Sequence, residues 1–290
     1  MHLGLIAGGG RFPLVILDAA RAQGHDVTVV AATEEADGTL TAAAERHGVP
    51  IHWISLGELG KCIKLLKAAG IDRAVMVGYV KHTRIFAKGR IIPDFTLLSL
   101  LGKLVGKNTD GILGALVDVF RDHGIEVMDS TALISPLLAG AGALSARALR
   151  EEERQDIEWA YRFADAIAGL DIGQSIAVKD RAVVAVEAME GTDEVIRRAG
   201  LLAGGGFSLV KVAKPNQDMR FDVPVVGLAT IAALQAAGGT ALSIDAGRTL
   251  LLDGPAVLAA ADVAGVAVWG RPVQGGNPAP GTPVPPGARQ

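Results

Sequence analysis

From its second residue the chain repeats one phrase: a short apolar run, a stop at glycine or a polar turn, then apolar residues at helical spacing. Residues 2–7 (HLGLIA), 26–32 (DVTVVAA), 51–55, 73–77 (RAVMV) and 125–128 read as strands, rich in β-branched residues. Residues 14–23, 40–46, 59–69, 96–105 and 111–123 read as the helices between them. A strand followed by a helix and another strand returns the chain in the same direction, so the alternation predicts a parallel sheet covered by helices. Residues 1–129 are therefore expected to form a doubly wound, Rossmann-like α/β domain. Its ligands should gather at the carboxyl ends of the strands.

The pattern then changes. Residues 130–146 (STALISPLLAGAGALSA) carry no charge, and we read 130–150 as an interdomain connection. The clearest helix, 151–168, has an acidic start where the helix dipole favours negative charge. After it come short strands at 175–179, 182–187, 208–212, 223–226, 241–244 and 249–252, with helices at 231–237 and 255–264. The first two strands, joined by Asp180-Arg181, have hairpin spacing. This gives a C-terminal α/β domain over 151–270, expected to be catalytic. Residues 271–290 are mostly Pro, Gly and small residues and are expected to form a disordered tail.

Half of the residues are hydrophobic and 20% are charged, which excludes a largely disordered chain and supplies two cores. A formal net charge of −3 leaves no overall basic field for nucleic acid. Aromatics at 4% argue against base-stacking platforms. The single cysteine, Cys62, forms neither an internal disulfide nor a cysteine zinc cluster, in keeping with a reducing cytoplasm. Residues 1–7 lack a basic leader and stop at Gly8. The uncharged stretch 223–244 has the length of a membrane span, but Pro224, Gly227, Gln235, Gly238 and Gly239 break it into a buried strand, helix and strand.

Several segments carry candidate chemistry. Gly8, Gly9 and Gly10 follow the first strand, where backbone N–H groups can approach a phosphate; a plain turn is the alternative. The third glycine of a dinucleotide fingerprint falls on Pro13, which argues against a nicotinamide oxidoreductase. Lys61, in Gly57-Glu58-Leu59-Gly60-Lys61, sits where a helix start could meet a phosphate, or is simply solvated. Lys81-His82-Thr83-Arg84 through Lys88-Gly89-Arg90, with Lys103 and Lys107 beyond, suits an anionic substrate or headgroup as well as an ordinary charged loop.

The second half is more specific. Glu187, Glu190 and Asp193 place three carboxylates beside Thr192, and 211–224 alternates cations with acids between two prolines. In an extended run Asp218, Arg220 and Asp222 would share one side. Hard carboxylate oxygens suit Mg²⁺, which is commonly shared with substrate phosphates, and adjacent cations offset charge on a transferring phosphoryl group. Surface ion pairing is the competing reading for each residue alone. No nucleophile elbow, zinc-binding His-Glu-x-x-His helix, Walker loop or Cys-x-x-Cys pair is present.

Five ordered blocks resemble the UDP-2,3-diacylglucosamine pyrophosphatases of the Mg²⁺-dependent type unrelated to the calcineurin-like enzyme. They are Gly4-Leu5-Ile6-Ala7-Gly8-Gly9-Gly10 with Phe12-Pro13, then Gly57 to Lys61, then Leu170-Asp171-Ile172-Gly173-Gln174. Ala185-Val186-Glu187-Ala188 into Glu190-Gly191-Thr192-Asp193, and Lys214-Pro215-Asn216-Gln217-Asp218 through Phe221-Asp222-Val223-Pro224, complete the set. The resemblance implies hydrolysis of UDP-2,3-diacylglucosamine to 2,3-diacylglucosamine 1-phosphate (lipid X) and UMP, a step of lipid A biosynthesis, with attack at the sugar-proximal phosphorus. It further implies Mg²⁺, a cytoplasmic homodimer peripheral on the inner membrane, and substrate bound between two domains. The family's essential aspartate maps onto Asp222. We assign catalysis to Asp222, Asp218, Lys214 and Arg220, and metal binding to Asp222, Asp218, Glu187, Glu190 and Asp193. Substrate contacts are assigned to Gly8, Gly9, Gly10, Lys61, Thr192 and Gln217. Relatives commonly carry paired aspartates where this chain has Asn108-Thr109-Asp110, so that region is left out. The apolar connection near 134–144 could shelter acyl chains or simply pack as core. A non-hydrolytic nucleotide-sugar or lipid-phosphate binding protein is the alternative function.

Overall fold

A computed structural model describes residues 1–80, 92–103, 109–215, 218–220 and 223–273. Most of the basic segment (81–90), Lys107, Asn108, Gln217, Asp222 and the tail from 274 onward lie outside the described residues. The chain divides near Ile134 into two compact units, each with its own sheet.

The first unit follows the alternation closely. Its strands β1 (His2–Ala7), β2 (Asp26–Ala32), β3 (Ile51–Ile54), β4 (Arg73–Val77) and β5 (Glu126–Val127) lie in the order β3-β2-β1-β4-β5. Every pairing is parallel. Between them run α1 (Phe12–Ala22), α2 (Gly38–His47), α3 (Leu59–Ala68), α4 (Phe95–Lys103) and α5 (Thr109–Asp122). Pro13 opens α1, where a missing N–H costs nothing. Asp37 caps α2 by accepting from the Thr39 N–H at 2.8 Å, and Gly48 closes it in the left-handed conformation. Leu59, Cys62, Ile63 and Leu66 of α3 join Leu100 of α4 and Val117 and Phe120 of α5 in one core against the sheet. Burial there pushes the Cys62 thiol up to about 12, so it stays protonated.

The strand order reverses between β1 and β4, the place where such sheets open a crevice. Here that crevice edge is filled by backbone. The Gly9 N–H donates to Tyr79 O at 2.9 Å, and the Tyr79 N–H donates back to Gly9 O at 3.1 Å. Gly78 has φ +93, and a Cβ on it would stand 2.6 Å from Gly9 O. The two loops can approach this closely only without side chains at that point.

The second unit has a six-stranded sheet in the order β6-β13-β11-β9-β7-β8. Its strands are β6 (Gly142–Ala143), β7 (Ser175–Lys179), β8 (Ala182–Val186), β9 (Ser208–Lys211), β11 (Ala241–Asp245) and β13 (Ala267–Arg271). Strands β9, β11 and β13 are parallel, while β6, β7 and β8 run antiparallel to their neighbours. The predicted hairpin is present, with φ 51 at Asp180 and φ 57 at Arg181, the positive values a two-residue turn demands. Asp156 holds that turn by accepting from both N–H groups, at 3.0 and 2.6 Å. Asp156 lies on α6 (Glu151–Gly169), which buries Ile157, Ala160, Ala164 and Ala168 in one core. Helices α7 (Thr192–Ala203), α8 (Leu228–Ala237) and α9 (Gly254–Ala264) bury Val195, Ile196, Ile231, Leu234, Val257 and Ala261 in a separate core.

The structure refines several expectations and corrects others. The carboxylate-rich turn after β8 leads directly into α7, because Gly191 turns the chain and Thr192 begins an amphipathic run. The connection from 130 on is not featureless: it holds short 3-10 turns at Ser130–Leu133 and Ser135–Leu137, then pairs β6 with β13. The stretch 223–244 is the expected strand, helix and strand, β10 (Val225–Val226), α8 and β11, and β10 pairs with β12 (Leu250–Leu251) apart from the main sheet. Among the described residues no helix is long and apolar enough to cross a membrane. Finally, Arg271 belongs to β13 rather than to a tail, because two buried or half-buried carboxylates hold it there.

The two glycines of positive φ provide a graded test. Gly78→Ala should destabilise the protein by about 2–4 kcal/mol in urea unfolding, since it adds a backbone clash to the torsional cost. Gly48→Ala, with nothing within 4 Å of a built Cβ, should cost only about 1 kcal/mol.

Candidate functional site

The carboxyl edge of the second sheet collects charge from most of its strands. Lys211, Asp245 and Arg271 are the last residues of three adjacent parallel strands, β9, β11 and β13. Because β7 runs the other way, its first residue, Ser175, lies opposite Lys211. Strand β8 returns to the same edge, where the Glu187 N–H donates to Ser175 O at 2.9 Å. Apolar strands thus end together in polar residues, with the hydrophobic core on one side and the loops on the other.

One half of this edge is a buried polar chain. The Lys211 ammonium, on a residue only 5% exposed, donates to Thr192 Oγ1 at 2.8 Å. The Thr192 hydroxyl donates to Glu187 Oε1 at 3.0 Å, and the Gln174 N–H donates to Glu187 Oε2 at 3.3 Å. Ser175 Oγ stands 3.3 Å from Thr192 Oγ1. The Gln174 side-chain oxygen is buried beside this chain without a hydrogen-bond partner.

The other half is built on Asp245, which is 1% exposed. Its Oδ1 accepts from Arg271 Nε at 2.6 Å, and its Oδ2 accepts from Arg271 Nη2 at 3.1 Å and from the Ala213 N–H at 2.8 Å. The remaining face of the guanidinium donates to both oxygens of Asp165 on α6, at 2.9 and 2.8 Å. The same guanidinium lies 4.3 Å from the centre of the Tyr161 ring. Tyr161 Oη meets Ser243 Oγ at 2.5 Å, and burial pushes its hydroxyl up to about 12, so it is protonated at neutral pH. Beyond Ala213, the Lys214 ammonium pairs with Asp171 at 2.6 Å. Asp171 itself has φ 55, a left-handed conformation that aspartate tolerates better than most residues.

The sequence-predicted residues divide accordingly. Glu187, Thr192 and Lys214 come to this edge. Glu187, expected as a metal ligand, has both oxygens engaged by Thr192 and Gln174. Glu190 pairs with Arg198 at 2.5 Å, and with Asp193 it lines a groove of about 700 Å³ between α7 and α8. Among the described residues no three carboxylate, imidazole or thiol groups gather as a metal cage; Asp222, a member of the expected ligand set, lies outside them. Asp218 and Arg220 are half-buried, and Met219 and Arg220 lie in a turn, so the alternation argued for an extended run does not apply to them. Asp222 and Gln217 lie outside the described residues. In the first unit, Gly8, Gly9 and Gly10 serve the contact with Gly78 and Tyr79, and Lys61 makes a surface pair with Glu58 at 3.0 Å. Sequence reasoning placed Lys211 in the charged segment 211–224 without giving it a role, and missed Asp245, Arg271, Asp165 and Tyr161 as site residues. The signal was a charged residue ending an apolar run, as in Ala241–Asp245 (ALSID) and Ala267–Arg271 (AVWGR).

Thr192 is the one hydroxyl joining Lys211 to Glu187, so Thr192→Val should leave both charges short of a partner. We expect a loss of about 1–3 kcal/mol in urea unfolding, read by circular dichroism. Thr192→Ser should keep most of the stability.

The family model of the LpxI N-terminal domain matches residues 2–137, and that of the LpxI C-terminal domain matches residues 140–269. The junction between the two falls beside the division into two units at Ile134. A Caulobacter vibrioides protein described as UDP-2,3-diacylglucosamine pyrophosphatase LpxI is 35% identical over 279 residues, spanning 92% of this chain and 96% of that one. A solved UDP-glucose-4-epimerase from Stenotrophomonas maltophila, with bound NAD and formylated UDP-arabinopyranose, aligns at 16% identity and TM-score 0.29. It covers 43% of this chain and 34% of its own, and carries no argument about fold or chemistry. Both domain models match in order and the relative spans nearly the whole length, so the chain belongs to the LpxI family.

Proposed function

We propose that this protein hydrolyses the diphosphate of UDP-2,3-diacylglucosamine, releasing UMP and 2,3-diacylglucosamine 1-phosphate, a step in lipid A biosynthesis. The observation that carries this reading is the near full-length match to a relative described by that activity. The polar carboxyl edge of the second sheet supports it, because charge there lies where ligands of α/β sheets bind.

In this reading water adds to the sugar-proximal phosphorus, the anhydride P–O bond breaks, and UMP leaves. Lys214 would face the diphosphate, its direction set by Asp171. Arg220 would offset the charge that builds on the leaving phosphate. Gln217 would hydrogen-bond the substrate. Thr192 would act from behind, since its hydroxyl already links Lys211 and Glu187.

Mg²⁺ is part of the proposal. Asp222 and Asp218 would hold the ion, with Glu187, Glu190 and Asp193 supplying supporting charge. One or two carboxylates plus substrate phosphates are the usual arrangement for an ion that keeps its waters. When bound, the ion would neutralise phosphate charge. Homodimer formation and peripheral contact with the inner membrane belong to the same reading, to be measured by light scattering and vesicle sedimentation.

Purified protein with UDP-2,3-diacylglucosamine and Mg²⁺ should release UMP, and EDTA should stop it until Mg²⁺ is restored. Binding without UMP release would instead support the non-hydrolytic alternative. Asp222→Ala should lower turnover at least about 100-fold while circular dichroism stays unchanged. Near-normal turnover in that variant would remove Asp222 from the mechanism. Reaction in ¹⁸O-water should place the label in 2,3-diacylglucosamine 1-phosphate; label in UMP would move the attack to the other phosphorus.

A further inference from the structure

Ala213 is the last residue before the segment 214–222, which carries Lys214, Asp218, Arg220 and Asp222. Strand β9 stops at Lys211, so the backbone beyond it needs other anchors. There are three. The Val212 N–H donates to Gln174 O at 2.9 Å, the Ala213 N–H donates to Asp245 Oδ2 at 2.8 Å, and Lys214 Nζ reaches Asp171 at 2.6 Å. Of these, the Asp245 contact is a charge-assisted bond shut off from water, the kind that holds a backbone group most firmly.

Asp245 cannot turn away, because Arg271 grips both of its oxygens, at 2.6 and 3.1 Å. Arg271 is fixed in turn by the Asp165 carboxylate on α6, at 2.9 and 2.8 Å. A rigid frame of two strands and a helix therefore ends in one carboxylate oxygen pointed at one backbone amide. We infer that Asp245 is a positioning residue for the diphosphate hydrolysis, acting through the Ala213 N–H to set where the chain leaves the sheet toward Lys214, with Arg271 holding Asp245 in register. The inference rests on the proposed reaction, since it concerns the groups that would carry it out. Displacements of about 1 Å in such groups can cost on the order of a hundredfold in rate.

The substitution Asp245→Asn keeps the shape of the side chain but offers only one acceptor oxygen. Whichever way the amide turns, its NH2 group faces a donor, either Arg271 Nε or the Ala213 N–H with Arg271 Nη2, and the negative charge is lost. Arg271→Lys keeps the charge but loses the two-point grip. Wild-type protein and both variants are to be compared in kcat and KM for UDP-2,3-diacylglucosamine with Mg²⁺, in Tm, and in amide hydrogen exchange of a 212–224 peptide. In Asp245→Asn, kcat should fall about 10- to 100-fold with KM within about twofold, and the 212–224 peptide should exchange faster. Arg271→Lys should show the same pattern to a smaller degree.

A purely structural role would lower Tm and the folded fraction, leaving kcat per folded molecule and the kcat-to-KM split untouched. Wild-type kcat in either folded variant, or a loss of kcat with unchanged exchange of that peptide, would overturn the inference. If Asp245→Asn fails to fold, Arg271→Lys decides alone. If the wild type releases no UMP, the proposed reaction fails, and the exchange comparison still tests whether Asp245 anchors the segment.

Discussion

A carboxylate with almost no access to water sets the terms for the second half of this protein. Asp245 ends a central strand and is buried, so each of its oxygens must find its donors within the protein. Arg271 and the Ala213 N–H meet them. Removing one partner of a buried pair typically costs about 3–5 kcal/mol, since the remaining charge is stranded. That penalty ties the ends of β9, β11 and β13 together more tightly than their short ladders would. An apolar strand end would have packed as well but would have left the Ala213 amide without an acceptor.

The two units use similar architecture in different ways. In the first, the edge where the strand order reverses is closed by backbone contacts among Gly8, Gly9, Gly78 and Tyr79. The same edge type in the second unit, generated by the antiparallel return of β7 and β8, is lined with Ser175, Glu187, Lys211, Asp245 and Arg271. Glycine after a strand therefore signals closeness of approach, and what approaches is decided elsewhere. In the first unit the approaching group is Tyr79.

The parallel sheet of the first unit was legible because each strand and each helix carries its own period in the sequence, and contacts between neighbours in the chain build most of it. The hairpin at Asp180-Arg181 was legible for the same reason. The second sheet was harder. Its order places β9 between β11 and β7, a pairing across long separations that no local pattern encodes. Helix α7 was hidden behind Glu187, Glu190 and Asp193, whose density suggested a site and masked a helix start. Those three carboxylates also show why clustering in sequence is a poor guide to clustering in space. Arg198, nearly two turns into α7 and eight residues from Glu190, draws that carboxylate away, while Thr192 claims Glu187. Arg271 was lost to the proline-rich stretch that follows it, because composition was averaged across a strand end.

The balance of charge at the edge bears on the proposed chemistry. Lys214 is matched by Asp171, and Arg271 by Asp165 and Asp245. Lys211 lies under the surface on a hydroxyl that itself leads to Glu187. Among these described residues each cation is already answered by a carboxylate, so the edge is close to neutral and gives little net attraction for a diphosphate. A diphosphate ester brings about two negative charges, and holding it there by these lysines and arginines alone would require pulling them from buried or half-buried partners. In the proposed reaction a divalent ion carried in with the phosphates would supply the missing positive charge without breaking any of those pairs. The paired network is then free to do what paired charges do best, which is to fix geometry. Affinity would come from the ion and the lipid portion of the substrate, and orientation from the edge, so the structural carboxylates and the reacting ones need not be the same residues.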